Sequence, residues 1–348
     1  MISSRTQNRA FFLADFLEEV EVRLRKALEP EPPLVASDTQ LLLDAARHLC
    51  LGGGAKRARP RLVFAFGEVV GTKAEGLIDV AVAAELIHAA SLLHDDVVDD
   101  GTVRRGRPTV NTVWGNTVAV LSGDLLLSIA FDHLKGLPPA ILSDALSTVL
   151  DMTRAAIMEV CQRGRVDVPV SRWRTVAEGK TGALFGWCGR AAAHLAGDED
   201  AVERFDRCGR HLGVAFQLAD DLKDLLPNDS GKDRLADIRS RSPSYPILIA
   251  AYSKPELRDR LAAVWKRTKV DESSVRRVER LVLNTDALAT TREAVSTELA
   301  EAISAIGDRG REEGIDQVIQ WAEGLAEAAD AEGFLCDRQA TFRKAAVR

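Results

Sequence analysis

Apolar side chains recur every three or four positions along nearly the whole chain, whereas the alternation typical of a β-strand is scarce. Phe12, Phe16, Val20 and Leu24 follow the helical spacing, so the sequence predicts an amphipathic helix over about 9–28. With glycine and proline breaks between them, further helices are predicted over about 37–49, 59–70, 75–100, 110–135, 139–163, 171–196, 199–226, 244–252, 255–267, 285–305, 310–331 and 334–346. The pattern predicts an all-α, single-domain bundle whose central helices stand around an apolar cavity.

Composition narrows the classes of partner and compartment. The 348 residues are 46% hydrophobic, enough for one large core, and a net charge of −6 without a basic block argues against a nucleic-acid partner. The five cysteines are scattered and never spaced Cys-x-x-Cys, which indicates reduced thiols in a cytoplasm. The N-terminal residues lack the apolar stretch of a signal peptide, and no run reaches the roughly 18 apolar residues of a membrane span. The sequence therefore predicts a cytoplasmic protein without a transmembrane segment.

An apolar segment over 80–93 leads directly into a cluster of carboxylates. Asp95 and Asp99 are four residues apart and Asp96 and Asp99 three apart, so on a helix they share one face within about 5–6 Å. Like charges at this distance are unfavourable unless a cation or water takes up the charge. Mg²⁺ is a suitable cation, because it is held by one or two carboxylates while it keeps most of its waters.

Two arginines and a second acidic motif extend this pattern. Arg104 and Arg105 follow the first cluster closely, and arginine is well suited to bidentate binding of phosphate oxygens. Asp220, Asp221 and Asp224 repeat the Asp-Asp-x-x-Asp spacing, again at the end of an apolar helical run. A single acidic pair is typical of a solvated loop. Two such motifs, each after a buried helix, indicate a site for metal ions and a diphosphate.

A glycine-rich loop and a histidine complete the candidate chemistry. The segment 52–60 reads Gly-Gly-Gly-Ala-Lys-Arg-Ala-Arg-Pro, which combines backbone amides with cations as phosphate sites do, although such a loop alone is equally a helix connector. His88 lies seven residues before Asp95, two helical turns along the same face. Taken alone, such a histidine is more often a core residue.

In this order and spacing, from about Gly52 to Pro246, the motifs resemble those of the trans-isoprenyl diphosphate synthases, also called polyprenyl synthetases. The resemblance implies an isoprenoid-synthase-type bundle with an N-terminal helix over 9–28, a catalytic core over about 50–252 and C-terminal helices over about 255–346. It implies a transferase that condenses isopentenyl diphosphate with an allylic diphosphate, up to three Mg²⁺ ions, and a homodimer.

The resemblance also assigns roles to individual residues. The catalytic set is Asp95, Asp96, Asp99, Asp220, Asp221, Asp224 and Lys180. Within that set, the metal ligands are Asp95, Asp99 and Asp220. The residues that bind isopentenyl diphosphate are Lys56, Arg59, His88 and Arg105. The remaining substrate-binding residues, on the allylic side, are Arg104, Thr181, Gln217 and Lys232. Glu159 and Gln162 resemble the family's Glu-x-x-Gln motif, although a solvated polar pair fits them equally well.

The residues before the first acidic motif bear on product length. In the family, aromatic side chains four and five positions before the motif stop chain growth early, but this chain has the small Ser91 and Ala90 there. Ile87, about one helical turn deeper, is a candidate floor of the cavity. We therefore expect a product of geranylgeranyl length or longer.

One departure from the family pattern concerns the segment after the second acidic motif. Ser242 stands where the family carries a lysine, and Arg239 or Arg241 is a candidate source of the missing charge. Two alternatives stay open at this point. A class I terpene cyclase on the same scaffold would not need the isopentenyl diphosphate site, and a non-catalytic subunit would bind diphosphates only to regulate a partner.

Overall fold

The computed structural model describes residues 12–29, 37–226 and 235–329, and these residues form helices almost throughout. In chain order the helices and strands are α1 (Leu13–Ala27), α2 (Ser37–Cys50), α3 (Ala58–Val70), α4 (Ala74–Val98), β1 (Val103–Arg104), β2 (Arg107–Pro108), α5 (Val110–Trp114), α6 (Asn116–Leu134), α7 (Pro139–Gln162), α8 (Val170–Ala177), a π-helical turn (Glu178–Gly182), α9 (Ala183–Ala196), α10 (Glu199–Leu225), α11 (Ala236–Ser240), α12 (Tyr245–Ser253), α13 (Pro255–Trp265), α14 (Glu272–Leu283), α15 (Ala287–Ile306) and α16 (Glu312–Ala329). The predicted all-α class is confirmed.

Most predicted helices are found close to their predicted bounds, with three kinds of difference. The helix predicted over 110–135 is divided at Gly115, whose φ of +86° is outside the helical range. The helix predicted over 171–196 contains the π-helical turn. Helices α11 and α14 and the short antiparallel β1–β2 hairpin were not predicted. The helix predicted over 334–346 lies outside the described residues.

Helix α4 is the centre of the fold. It packs against α1, α2, α3, α6 and α9, which accounts for its lack of a polar face. By length and composition α4 and α6 also qualify as candidate membrane spans, and 72% of the apolar window of α4 is buried inside the protein. Burial in the core therefore explains the hydropathy of α4. The corresponding window of α6 is only 33% buried.

Helices α9 and α10 approach each other closely because glycines line their contact. A Cβ atom on Gly213 would lie 2.4 Å from the Cα of Gly182, and one on Gly209 would lie 2.4 Å from the carbonyl oxygen of Phe185. Larger side chains at Gly209 or Gly213 would separate the two backbones. This contact sets the π-helical turn beside α10, about two turns before the second acidic motif.

Candidate active site

The first acidic motif lies at the carboxyl end of α4. Asp95 and Asp96 occupy the last turn, and Asp99 is the residue that ends the helix. Asp95 Oδ2 lies 3.5 Å from Lys180 Nζ. Burial raises the pKa of Asp95, the ammonium of Lys180 opposes this rise, and the carboxylates of Glu159 and Asp99 add to it. A carboxylate in this setting gains stability from a further cation.

The other two carboxylates of this motif are paired with arginines. Asp96 is buried, and Arg104 Nε and Nη2 donate hydrogen bonds of 2.8–3.1 Å to it. Because Arg104 belongs to the β1–β2 hairpin, this pair fixes the hairpin to the end of α4. Asp99 pairs with Arg163, the residue after α7. The contact between Arg104 and the allylic diphosphate stays a prediction.

The second acidic motif has a different environment. Asp220 is exposed, whereas Asp221 is buried and accepts hydrogen bonds from Trp173 Nε1 at 3.1 Å, Gln217 Nε2 at 3.1 Å and the Tyr245 amide at 2.8 Å. Burial raises the pKa of Asp221 to about 7 in spite of these three donors. Asp221 therefore links α8, α10 and the start of α12.

Asp224 and a further carboxylate complete this side of the site. Asp224 accepts hydrogen bonds from the amides of Ala236 at 2.8 Å and Asp237 at 3.3 Å, so it fixes the first turn of α11. Asp237 lies close to the motif, since its amide donates to Asp224, and burial together with the charges of Asp221 and Asp224 raises the pKa of Asp237 well above its usual range. A site role for Asp237 was not predicted from the sequence, because no Asp-Asp-x-x-Asp motif marks it.

The π-helical turn brings the two motifs together. Lys180 Nζ donates to Glu159 Oε2 at 2.5 Å and also faces Asp95, while Thr181 Oγ1 donates to Gln217 Oε1 at 3.3 Å. Burial alone lowers the pKa of Lys180, but the neighbouring carboxylates outweigh burial and raise it, so the ammonium keeps its charge. π-Helical turns are frequent at functional sites.

The Glu-x-x-Gln segment on α7 is not a solvated polar pair. Glu159 binds Lys180, and Gln162 is buried. The alternative interpretation of these two residues as a solvated polar pair is therefore wrong.

The predicted isopentenyl diphosphate residues surround the beginning of α3. Lys56 is exposed on the glycine-rich loop, and the buried guanidinium of Arg59 lies 5.3 Å from the centre of the Phe185 ring. Within the described residues, Arg59 Nε is buried without a hydrogen-bond partner. Burial, with the charges of Arg59 and Arg105, holds the pKa of His88 well below its usual range, so its imidazole is neutral. The structure thus groups Arg59, His88 and Arg105, while Lys56 lies three residues before Arg59 on the exposed loop.

An apolar cavity of about 420 Å³ starts at the first motif and runs between α4 and α7. Asp95 and Lys180 line its polar end. Ile87, Ala90 and Ser91 all line it along α4, as the sequence predicted for their position. Their effect on product length stays a prediction.

The two arginines near Ser242 are held by other parts of the protein. Arg239 binds Glu272 on α14, although its charge still acts on Asp224. Arg241 has a φ of +62° and donates to the carbonyl oxygen of Arg267 at 2.6 Å, just beyond α13. The Arg241 guanidinium is therefore bound to the segment after α13. The predicted substrate residue Lys232 lies outside the described residues.

The donor set fits a hard divalent cation that is completed by water and substrate. In the described ranges, no group of three acidic, histidine or cysteine side chains is close enough to hold a metal ion alone. Mg²⁺ does not require one, because it is commonly bound through one or two carboxylates plus substrate phosphates. Asp95 and Asp220 present carboxylate oxygens of this kind.

Comparison with known proteins identifies the family. The polyprenyl synthetase family model matches residues 39–282. A (2E,6E)-farnesyl diphosphate synthase from Mycobacterium tuberculosis is 34% identical over 296 residues, which cover 82% of this chain and 80% of that protein. The structure of a decaprenyl diphosphate synthase from Rhodobacter capsulatus matches with a TM-score of 0.82 and 27% identity, covering 91% of this chain and 97% of that one. A polyprenyl synthase from Caulobacter crescentus, solved with calcium and isoprenyl diphosphate, has a TM-score of 0.80 and 26% identity, with coverage of 90% and 94%. The chain belongs to the polyprenyl synthetase family.

Proposed function

We propose that this chain condenses isopentenyl diphosphate with an allylic diphosphate, in a Mg²⁺-dependent reaction, to a trans-prenyl diphosphate of geranylgeranyl length or longer. It is a chain-elongating prenyltransferase, as its family and its relatives among the prenyl diphosphate synthases indicate. The relatives do not fix the product length, since they include a farnesyl and a decaprenyl diphosphate synthase. The metal, the product length and the roles of individual residues are the proposal.

The observation that supports binding of two substrates is the unpaired Nε of buried Arg59. A buried arginine N–H without a partner costs free energy, and such groups are rare in native proteins. A diphosphate oxygen would satisfy it, and neutral His88 can donate one more hydrogen bond beside it. A terpene cyclase has no use for this second anion site.

The allylic diphosphate is assigned to the opposite group of residues. Bound Mg²⁺ would withdraw charge from that diphosphate and favour ionisation of its C–O bond. Asp95, Asp99 and Asp220 would hold the metal, and the calcium and isoprenyl diphosphate bound to the Caulobacter relative support this class of ligand. Lys180, now paired with Asp95 and Glu159, would turn to the diphosphate oxygens. The apolar cavity would keep water from the allylic cation.

A homodimer is part of the proposal. Leu121 on α6 and Leu146 and Leu150 on α7 are each about half exposed, at 48%, 51% and 49%. Ile157 is 61% exposed and also lines the apolar cavity, so the cavity is open to solvent along α7. A second copy on this face would bury these side chains and close the cavity.

The homodimer and the compartment have separate tests. Leu150→Asp should shift the protein from dimer to monomer in sedimentation analysis, and a native protein that sediments as a monomer would refute the dimer. A cytoplasmic location remains a prediction from the cysteines, of which Cys50, Cys161, Cys188 and Cys208 are free.

The activity is tested with purified protein, Mg²⁺ and labelled isopentenyl diphosphate. Dimethylallyl, geranyl, farnesyl and geranylgeranyl diphosphates are supplied separately, and the products are separated by chromatography. We expect label in a diphosphate of geranylgeranyl length or longer. Label that stops at farnesyl would refute the proposed length, and a cyclic product without label would refute chain elongation.

A further inference from the structure

Arg57 lies in the glycine-rich loop between the two predicted phosphate ligands Lys56 and Arg59, but its own guanidinium is already occupied. Arg57 Nε lies 2.5 Å from Glu21 Oε1 and Nη1 lies 2.7 Å from Glu85 Oε2. Nη2 donates to the carbonyl oxygen of Cys50 at 3.0 Å, at the end of α2. The guanidinium therefore ties α1, α2 and α4 to the loop.

The backbone of Arg57 shows that this arrangement is imposed by its contacts. Its φ is +49°, a left-handed conformation that residues other than glycine rarely adopt. Its side chain is only 12% exposed, and the Glu85 side chain 7%. Burial alone lowers the pKa of Arg57, but its bonds to Glu21 and Glu85 outweigh burial and raise it, so the guanidinium keeps its charge.

Glu21 comes from a segment that the family model does not cover. Helix α1 lies before residue 39, where the family match begins. It packs on the core through Phe16, whose ring centre is 5.1 Å from that of Phe64. Leu24, one turn after Glu21, lines the same narrow cleft as His88 and Arg105. Helix α1 therefore forms part of the wall beside the predicted isopentenyl diphosphate residues.

We propose that α1 completes the isopentenyl diphosphate site, because Glu21 holds Arg57 and so fixes the junction between the loop that carries Lys56 and the first turn of α3, which carries Arg59. This inference rests on the proposed assignment of isopentenyl diphosphate to that loop. Arg57 is a positioning residue, since two carboxylates and a carbonyl already occupy its donors. The diphosphate binds its neighbours, whose spacing depends on where Arg57 is held.

The test compares three substitutions in α1. Glu21→Gln keeps the shape of the side chain and removes its charge, and the position is about one-third exposed, so the fold should accept it. We expect the KM for isopentenyl diphosphate to rise roughly 3- to 10-fold, as for loss of a partly buried ion pair. The KM for the allylic primer and the melting temperature should stay unchanged. Glu21→Asp, which keeps the charge, should retain most of the affinity for isopentenyl diphosphate.

Glu18→Gln is the matched control, because Glu18 is exposed on the same helix. Equal KM values for isopentenyl diphosphate in Glu21→Gln and Glu18→Gln would overturn the inference. The inference would also be overturned if Glu21→Gln raised the KM for isopentenyl diphosphate and the KM for the allylic primer equally and lowered the melting temperature. That result would indicate general destabilisation. If the native protein elongates no primer at all, the proposed function fails instead.

Discussion

An aromatic ring at position 90 should shorten the product. Ala90 is 1% exposed and lines the apolar cavity, so the ring of Ala90→Phe would project into space that the growing prenyl chain is expected to fill. Ala90 lies about 7.5 Å along the α4 axis from Asp95 and Ile87 about 12 Å, at 1.5 Å per residue. Moving the obstruction from Ile87 to Ala90 removes about 4.5 Å of length, close to one isoprene unit.

The free-energy cost of extending the prenyl chain past the ring determines how completely the product length changes. Overpacking of this kind costs about 1–3 kcal/mol, which corresponds to a roughly 5- to 150-fold slower elongation step past the ring. The major product of Ala90→Phe should therefore be at least one isoprene unit shorter than that of the native protein. The fold itself should tolerate the ring, because Ala90 lines a cavity of about 420 Å³ that can accept it.

The assay is chromatography of labelled products after elongation from geranyl diphosphate. Val98→Phe is the control, since Val98 lines the same cavity but lies within the acidic motif, between Asp95 and Asp99, and not on the Ala90 side of Asp95. It should leave the product length unchanged. Ile87→Ala should lengthen the product, and the double variant Ala90→Phe/Ile87→Ala should keep the short product, because the chain never reaches position 87.

Two results would contradict this reasoning. An Ala90→Phe protein whose products are as long as those of the native protein would show that the chain does not grow along α4. A double variant that makes long products would show that the ring does not lie between the acidic motif and Ile87. Either result would assign chain growth to a different path.

Three further predictions concern the charges around the diphosphates. Ser242→Lys, which restores the family's lysine, should lower the KM for the allylic diphosphate about fivefold. This corresponds to about 1 kcal/mol, the free energy of one partly exposed charge-assisted hydrogen bond. The control is Ser240→Lys at an exposed position of α11, and an equal effect there would refute a specific contact. Trp173→Phe removes one of three donors to buried Asp221 and should lower the free energy of unfolding by about 1–2 kcal/mol in urea titrations, and an unchanged value would show that the hydrogen bond is dispensable. Chelation of divalent cations should stop elongation and added Mg²⁺ should restore it, whereas turnover in excess chelator would remove the metal from the mechanism.

Much of the fold could be predicted because its signals are local. The apolar run before Asp95 has no polar face, and the structure places it at the centre of the bundle as α4. Helix α14 was missed although signals for it exist. Asp271 caps its first turn by accepting from the Ser274 amide, and Val275 and Val278 repeat at helical spacing. The π-helical turn had no such signal, because it arises where α9 and α10 meet through glycines.

The candidate site was predictable only where the family motifs mark it. Residues that act through long-range contacts were missed, and they include Trp173, which reaches Asp221 across 48 positions of sequence. Glu85 was missed because a single carboxylate inside an apolar run forms no recognisable motif. Only the fold brings it to Arg57. Such contacts depend on helix packing, which periodicity along one helix does not specify.

The two acidic motifs share a spacing but not a chemical environment, and this difference follows from what surrounds each. In the first motif Asp95, Asp96 and Asp99 all lie against basic side chains, so their charge is balanced by groups that can exchange for a metal or turn to a phosphate. In the second motif Asp221 accepts from the Tyr245 amide and from the side chains of Trp173 and Gln217. Asp224 accepts from backbone amides in the first turn of α11, so both carboxylates are tied to the starts of neighbouring helices. The same spacing therefore supports an adaptable cluster at the end of α4, whereas at the end of α10 Asp221 and Asp224 are fixed and Asp220 is exposed. Substrate-linked rearrangement is accordingly expected at the first motif.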